Sequence, residues 1–243
     1  KDIDQSIRFL QKLRDISPNT IPYYNEIPSA AEACFSVEEI FESIKLRLQA
    51  LQAVSEYGSN FVAFQELLNN DLIPTFNQLQ DSCESKLVNS GSTLQDKLRK
   101  GDHTLSPSDF GFHNALRRED GEIVFLDFEY FGWDDPAKMI ADFLLHPAMD
   151  LNESCKNRFW RGMVNSFSTQ KHLAERVEIC YPLWGLKWCL ILLNEFLPNM
   201  VEKRQFASVD FLDKDSLRTE QLRKATRMLE RVLKESKDFP YRA

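Results

Sequence analysis

The alternation of apolar and polar positions divides the chain into helices, a short β segment, and helices again. Near the start Ile3, Ile7, Phe9, Leu10 and Leu13 recur at helical spacing, up to a break at Ser17-Pro18-Asn19. A loop rich in Pro, Tyr and Asn follows, from Ile21 to about Ser29. Ser36-Val37-Glu38-Glu39 has the form of a capping box, in which a serine oxygen and a glutamate take up the first exposed N–H groups of a helix. Behind it Ile40, Ile44, Leu48, Leu51 and Val54 form an apolar stripe. A further helix is predicted from Phe61 to Leu87, bent at Pro74 because proline has no N–H to donate. In the second half the pattern predicts helices over Pro136–Leu145, Lys156–Phe167, Leu173–Leu197 and Ser216–Ser236. The last of these sets Leu217, Leu222, Ala225, Leu229, Val232 and Leu233 on one side and charges on the other.

Only one stretch reads as β. Ala115–Arg118 and Glu122–Leu126 flank Asp120-Gly121, a strong hairpin signal. With Asp120 and Gly121 as a two-residue loop, Glu119 faces Glu122. Continuing outward, Asn114 faces Asp127, and opposed residues lie roughly 5 Å apart. The pattern as a whole describes a mainly α chain with one small hairpin. No internal repeat, low-complexity tract or linker divides it.

Composition narrows the function classes. With 43% apolar residues among 243, the chain can bury a large core. The net charge of −7 argues against nucleic acid as a partner, because that needs clustered Lys and Arg on a basic background. Eight glycines leave no Gly-rich phosphate loop unnoticed. The five cysteines are scattered, without Cys-x-x-Cys or a histidine at metal-site spacing, which suits free thiols in a reducing compartment. The longest apolar run, Tyr181–Pro198, is interrupted by Lys187 and Glu195 and reads as a buried helix, not a membrane span. No signal peptide is read, so the expected location is cytoplasmic.

The chemistry concentrates in Ser106-Pro107-Ser108-Asp109-Phe110-Gly111-Phe112-His113-Asn114 and, past the hairpin, Asp127-Phe128-Glu129-Tyr130. An amide oxygen on Asn114 and a carboxylate on Asp127 would suit Mg²⁺, which takes one or two protein oxygens plus water and phosphates. Asp109, in a loop beside them, could orient a hydroxyl and accept its proton during phosphoryl transfer. The bland alternative is a polar loop with ordinary turn-forming Asp and Asn. Against it, Asp127 directly follows the apolar run Val124-Phe125-Leu126, where a charge is costly unless paired or metal-bound.

Asp109-x4-Asn114, a short hairpin and Asp127-Phe-Glu-Tyr together resemble the aminoglycoside phosphotransferase and choline kinase family, of protein-kinase-like fold. The resemblance is specific over residues 105–146. It implies the C-terminal lobe of that α+β fold over 1–243, with the N-terminal lobe absent from this chain. Residues 1–100 would form a helical scaffold, 105–146 the catalytic loop, hairpin and metal site, and 147–243 the closing helices. It further implies ATP and Mg²⁺ as cofactors, Asp109 as catalytic base, Asn114 and Asp127 as metal ligands, and Asp142 as a support of the catalytic loop. The partner would be a small hydroxylated acceptor. The family's His two residues before the catalytic Asp is Pro107 here, and its Gly before the Asn is His113, which we expect to stabilise the loop by a hydrogen bond. Glu129, Asp134 and Asp135 are candidates for an acidic wall receiving a cationic acceptor, or for solvated loop charges. Trp184, Trp188, Phe159 and Trp160 read as core. His103, His146 and His172 stand isolated and receive no assignment. Without an N-terminal lobe to cover ATP, the chain alone is expected to be inactive. The alternative function is a pseudokinase or binding module without turnover. The sequence leaves the acceptor and the oligomeric state open.

Overall fold

The computed structural model describes residues 1–16, 18–55, 60–198 and 214–241. Ser17, in the expected first break, lies outside them. Helix α1 spans Asp2–Asp15 and buries Ile3, Ile7 and Leu10. Helix α2, Val37–Gln52, starts as its sequence dictates: Ser36 Oγ accepts the Glu39 N–H at 3.2 Å. The Glu39 carboxylate reaches back one residue further than in a simple capping box, accepting the Phe35 N–H at 2.7 Å.

The expected bent helix is two α segments, α3 (Phe61–Glu66) and α4 (Ile73–Ser90), joined by a π-helical turn over Leu67–Leu72. The widened turn lies immediately before Pro74, where a regular helix would leave a carbonyl without its donor. Helix α4 ends on Gly91 at φ +75°, the left-handed cap glycine provides most readily.

Four short strands follow, and the reading of a single β region is corrected. Strands β1 (Thr104–Ser106) and β4 (Gly132–Asp134) pair antiparallel, with Leu105 opposite Trp133. Between them lies the hairpin of β2 (Ala115–Arg117) and β3 (Ile123–Phe125). Three-residue strands show too little alternation to be seen, and β1 and β4 are both wholly buried, so neither has a polar face to reveal it.

The hairpin register is also corrected. Ala115 faces Phe125 and Leu116 faces Val124, so the loop has three residues, Glu119 to Gly121. Arg118 accepts the Gly121 N–H at 2.9 Å and donates to the Glu122 carbonyl at 2.9 Å, and Gly121 lies at φ +81°. This is the type I turn plus left-handed glycine that closes three-residue hairpins. It shifts the pairing by one, so Asn114 faces Leu126, whose N–H it accepts at 2.9 Å, and not Asp127.

Helices α5 (Pro136–Leu145), α6 (Glu153–Ser166), α7 (Leu173–Leu192) and α8 (Lys214–Glu235) complete the described fold, with a 3₁₀ turn, Leu193–Phe196, after α7. Helix α7 is the central element, packed on α2, α4, α5 and α8. Its Leu183, Leu186, Cys189 and Leu190 have no exposed surface, which is why its pattern is apolar almost all round. Among the described residues no helix is long and apolar enough to cross a membrane.

Candidate active site

The loop after β1 carries Asp109 and is built without the histidine expected at position 107. Ser106 Oγ accepts the Ser108 N–H at 3.0 Å, and Ser108 Oγ donates to the Ala31 carbonyl at 3.0 Å. Ser108 sits at φ 66°, Asp127 at 61° and Glu32 at 62°. These are the three non-glycine residues with positive φ among those described. L-residues adopt that conformation at a cost of about 1–2 kcal/mol each. Ser108 and Glu32 both line the cavity beside Asp109, and Asp127 lies past the end of β3.

Asp109 is half-buried and crowded with donors. His113 Nε2 and His146 Nε2 each lie 3.0 Å from its Oδ1. Asn114 Nδ2 donates to the Asp109 carbonyl at 3.0 Å and to its Oδ2 at 3.2 Å. These contacts, led by His113 and then His146, hold the Asp109 carboxyl far below the usual carboxylate range. The expected hydrogen bond from His113 is therefore present. His146 was not found from sequence, because it lies 37 residues away at the end of α5 and only the folded chain brings it back.

Asp109, His113 and His146 offer three ligand atoms within 4.8 Å of one another, a spacing that would suit a transition metal. The tautomer argues against it. The Ala148 N–H points at His146 Nδ1 at 3.1 Å, so Nδ1 holds a lone pair and the ring proton sits on Nε2, facing Asp109. A metal-bound Nε2 would require the proton on Nδ1, opposed to that backbone donor. The ring is also packed, stacked on His113 at 4.0 Å and edge-on to Trp188 at 4.5 Å. The group is a carboxylate clamped by two imidazole N–H donors.

Because the Asn114 nitrogen is committed to Asp109, its amide oxygen faces away from that contact. Asp127 is exposed and has no hydrogen bond or ion pair among the described residues. It stands one residue beyond Leu126, the cross-strand partner of Asn114. The Tyr130 phenol is held above its ordinary pKa, first by contact with the Glu129 carboxylate, with Asp127 and Asp109 adding to it. Asp127, Asp109 and Glu129 thus share one negative field at Tyr130. An amide oxygen and an unpaired carboxylate are donors of the kind Mg²⁺ takes, but the expected opposition of Asn114 and Asp127 is not present in the observed register.

The other acidic residues separate. Glu129 is exposed beside Tyr130. Asp134 is completely buried, accepting Lys138 Nζ at 3.0 Å and the Asp135 N–H at 2.9 Å. Burial pushes its carboxyl up to about 6, against the pull of Lys138. Lys138, despite burial, is held above its ordinary value by Asp134 and Asp142. Asp135 caps α5 through the Ala137 N–H at 2.7 Å and pairs with Arg176 at 2.9 Å. Neither Asp134 nor Asp135 stands as an exposed wall. Asp142 pairs with Lys138 at 2.9 Å and accepts the Trp188 N–H at 3.1 Å, so it reaches Asp109 only through the packing of Trp188 on His146.

Beside Asp109 opens a cavity of about 230 Å³. Its walls include Trp184, Trp188 and Ile191 of α7, with Lys138, Lys187, Glu32, Asp109 and Asp142 as charged members. Trp184 and Trp188, read from sequence as core, therefore also face this cavity.

No protein-family model matches the chain, and no curated protein does. Solved structures do. An ethanolamine kinase from Plasmodium vivax superposes with a TM-score of 0.53 at 14% identity, over 92% of this chain and 58% of its own. A spectinomycin phosphotransferase, solved with ADP and spectinomycin, gives 0.52 at 10% identity, over 96% of this chain and 64% of its own. The likeness is one of fold: mainly helical with small antiparallel β pairs, as in the C-terminal lobe of these kinases. The chain spans about three fifths of the length of the structures it matches.

Proposed function

From a small-molecule kinase fold with Asp109, Asn114 and Asp127 at its hairpin, we propose that this chain belongs to an ATP-dependent phosphotransferase acting on a small hydroxylated molecule. The observation that supports it most is the Asp109–Asn114 contact in the loop before the hairpin, where Asn114 Nδ2 donates to both the Asp109 carbonyl and its Oδ2.

In this reading Asn114 and Asp127 hold Mg²⁺, which when bound neutralises the phosphate oxygens of ATP. Asp109 receives the acceptor hydroxyl. The hydroxyl oxygen bonds to the γ-phosphorus, the bond to the ADP oxygen breaks, and the hydroxyl proton passes to an Asp109 oxygen. A carboxylate held so far below its ordinary pKa is a weak base, so it chiefly orients the hydroxyl and takes the proton late, as the new P–O bond forms. Leu116 and Val124, opposed in the hairpin and both exposed, offer an apolar platform for the base of a nucleotide next to Asn114. The five cysteines, all free, suit the cytoplasm.

A second reading, a binding module without turnover, draws on the same crowding of Asp109. Both are tested by phosphoryl transfer from γ-labelled ATP to a panel of amino-alcohols, sugars and aminoglycosides, using the protein that contains this chain. We expect Asp109→Asn and Asp127→Asn each to lower transfer by about 10²–10⁴-fold. Near-normal transfer in either variant would refute the assigned roles, and Mg-ATP binding without transfer to any acceptor favours the binding module.

A further inference from the structure

Resting on that reading, one helix outside the site governs how its two carboxylates stand to each other. Asp127 sits in a thinly supported stretch. Leu126 donates to Asn114 on one side of it, and Tyr130 accepts the Ala31 N–H at 3.0 Å on the other. Between these ties Asp127, Phe128 and Glu129 are all exposed, and Asp127 has a positive φ, which persists only where the surroundings hold it. The Phe128 ring stacks on Phe9 of α1, centroids 6.0 Å apart, and on no other ring among the described residues. The same Phe9 ring lies nearly parallel to Phe110, with an interplanar angle of 8° and centroids 5.4 Å apart. It also meets Phe125, the last residue of β3, at 4.9 Å. Phe110 directly follows Asp109, and Phe128 directly follows Asp127. One ring therefore spans the two backbone segments that carry the carboxylates, at distances where aromatic pairs attract.

The rest of that helix face holds the hairpin. Asp2, Gln5 and Phe9, spaced by three and four residues, stand on one side of α1. Gln5 is 5% exposed, and its amide makes two bonds to the hairpin backbone. Its Nε2 donates to the Gly121 carbonyl at 3.1 Å, and its Oε1 accepts the Ile123 N–H at 2.8 Å. Asp2 accepts both terminal nitrogens of Arg117, at 3.1 and 2.6 Å. The hairpin is thus pinned to α1 at its tip, along both strands and at its root. Ile7 of the same helix points elsewhere, toward α6, where a Cβ on Gly162 would lie 2.5 Å from its Cδ1.

We propose that Phe9 is a positioning residue for phosphoryl transfer: its ring, carried by α1, keeps the segment of Asp127 at a set distance from that of Asp109. A misplacement of about 1 Å between reacting groups costs on the order of 10²-fold in rate. A spacer of this kind governs turnover without touching substrate.

The test compares Phe9→Ala with Ile7→Ala in the protein that contains this chain. Both remove apolar bulk from α1, but only the first removes the spacer. Transfer from γ-labelled ATP is measured per folded molecule, at saturating acceptor, across a series of Mg²⁺ concentrations. Phe9→Ala is expected to lower kcat by about tenfold or more and to raise the Mg²⁺ needed for half the rate by about tenfold, with the acceptor KM little changed. Ile7→Ala should lower the urea midpoint and leave kcat and the Mg²⁺ requirement within about twofold of the parent. Should Phe9→Ala fail to fold, Phe9→Leu, which keeps bulk and loses the flat ring, takes its place with the same expected direction. A kcat and Mg²⁺ requirement within about threefold of the parent, or equal losses in Ile7→Ala, would overturn the proposal. A second readout needs no turnover. The Leu126 N–H, bonded to Asn114, should exchange with solvent about tenfold faster in Phe9→Ala relative to the amides of α7, and at the parental ratio in Ile7→Ala. The two readings fail separately. Transfer by the parent with neither change in Phe9→Ala sinks this inference and leaves the kinase standing. Faster Leu126 exchange in Phe9→Ala, in a protein that transfers phosphate to no acceptor, leaves the spacer standing and sinks the kinase.

Discussion

At the scale of single residues, the site consists of side chains whose partners are far away in the sequence, and this decides what could be read in advance. The contact of Asp109 with Asn114 was legible because the two stand five residues apart in one loop, whereas the expected opposition of Asn114 and Asp127 rested on a register one residue off. His146, Lys187 and Glu32 were not legible, since a lone histidine, a lysine in an apolar run and a glutamate in a loop acquire meaning only from tertiary contact. The tautomer of His146 yields a measurable consequence. With the Ala148 N–H on Nδ1, calorimetric titration with Zn²⁺ is expected to show no submicromolar site, and tight binding abolished by His146→Ala would contradict the hydrogen-bonded clamp. Glu32 gives a consequence in pH. Burial raises its carboxyl, but Lys187 and Arg47 outweigh this and hold it at about 2, below its ordinary value of 4.5. Its folded pKa is depressed, so its contribution to stability is complete above roughly pH 4.5 and is lost as pH falls toward 2. Urea midpoints of the parent should therefore drop more steeply across that window than those of Glu32→Gln.

At the scale of elements, the hairpin shows where sequence patterning stops. Asp120-Gly121 correctly marked a turn, yet glycine's positive φ serves equally the second position of a two-residue loop and the last of a three-residue one. The difference is one residue of register, which moves Asp127 from the partner of Asn114 to the position after it. The pair of β1 and β4 left no trace at all, because buried three-residue strands lack alternation. It nevertheless positions the site. Trp133 donates its backbone N–H to the Pro28 carbonyl at 2.9 Å and accepts the Ala30 N–H at 2.8 Å, tying the segment that leads to Glu32 onto β4. Gly132 permits this approach, since a Cβ there would lie 2.4 Å from the Pro28 oxygen and 2.5 Å from the Ala30 nitrogen. Gly132→Ala is expected to lower stability by roughly 1–3 kcal/mol, measured by chemical denaturation. An unchanged midpoint would mean that the segment yields freely.

At the scale of the molecule, helix patterning was the reliable signal. Each predicted helix is present, although α7 ends at Leu192 in a 3₁₀ turn where the apolar pattern ran on to Leu197. The sequence could not say which helix would lie in the middle. Leu186 on α7 has no exposed surface and sits within the main core. Leu186→Ala should cost about 2–5 kcal/mol by equilibrium unfolding, whereas the same change at the exposed Leu46 should stay within about 0.5 kcal/mol. The pairing of β1 with β4 bears on the chain as a connected object. These strands draw together both ends of the excursion that holds Asp109, Asn114 and Asp127, like a cord at the neck of a bag. New termini introduced between Glu119 and Gly121 would open the bag at its tip and leave the neck tied, so a circularly permuted chain begun there should fold with its Asp109 loop in place.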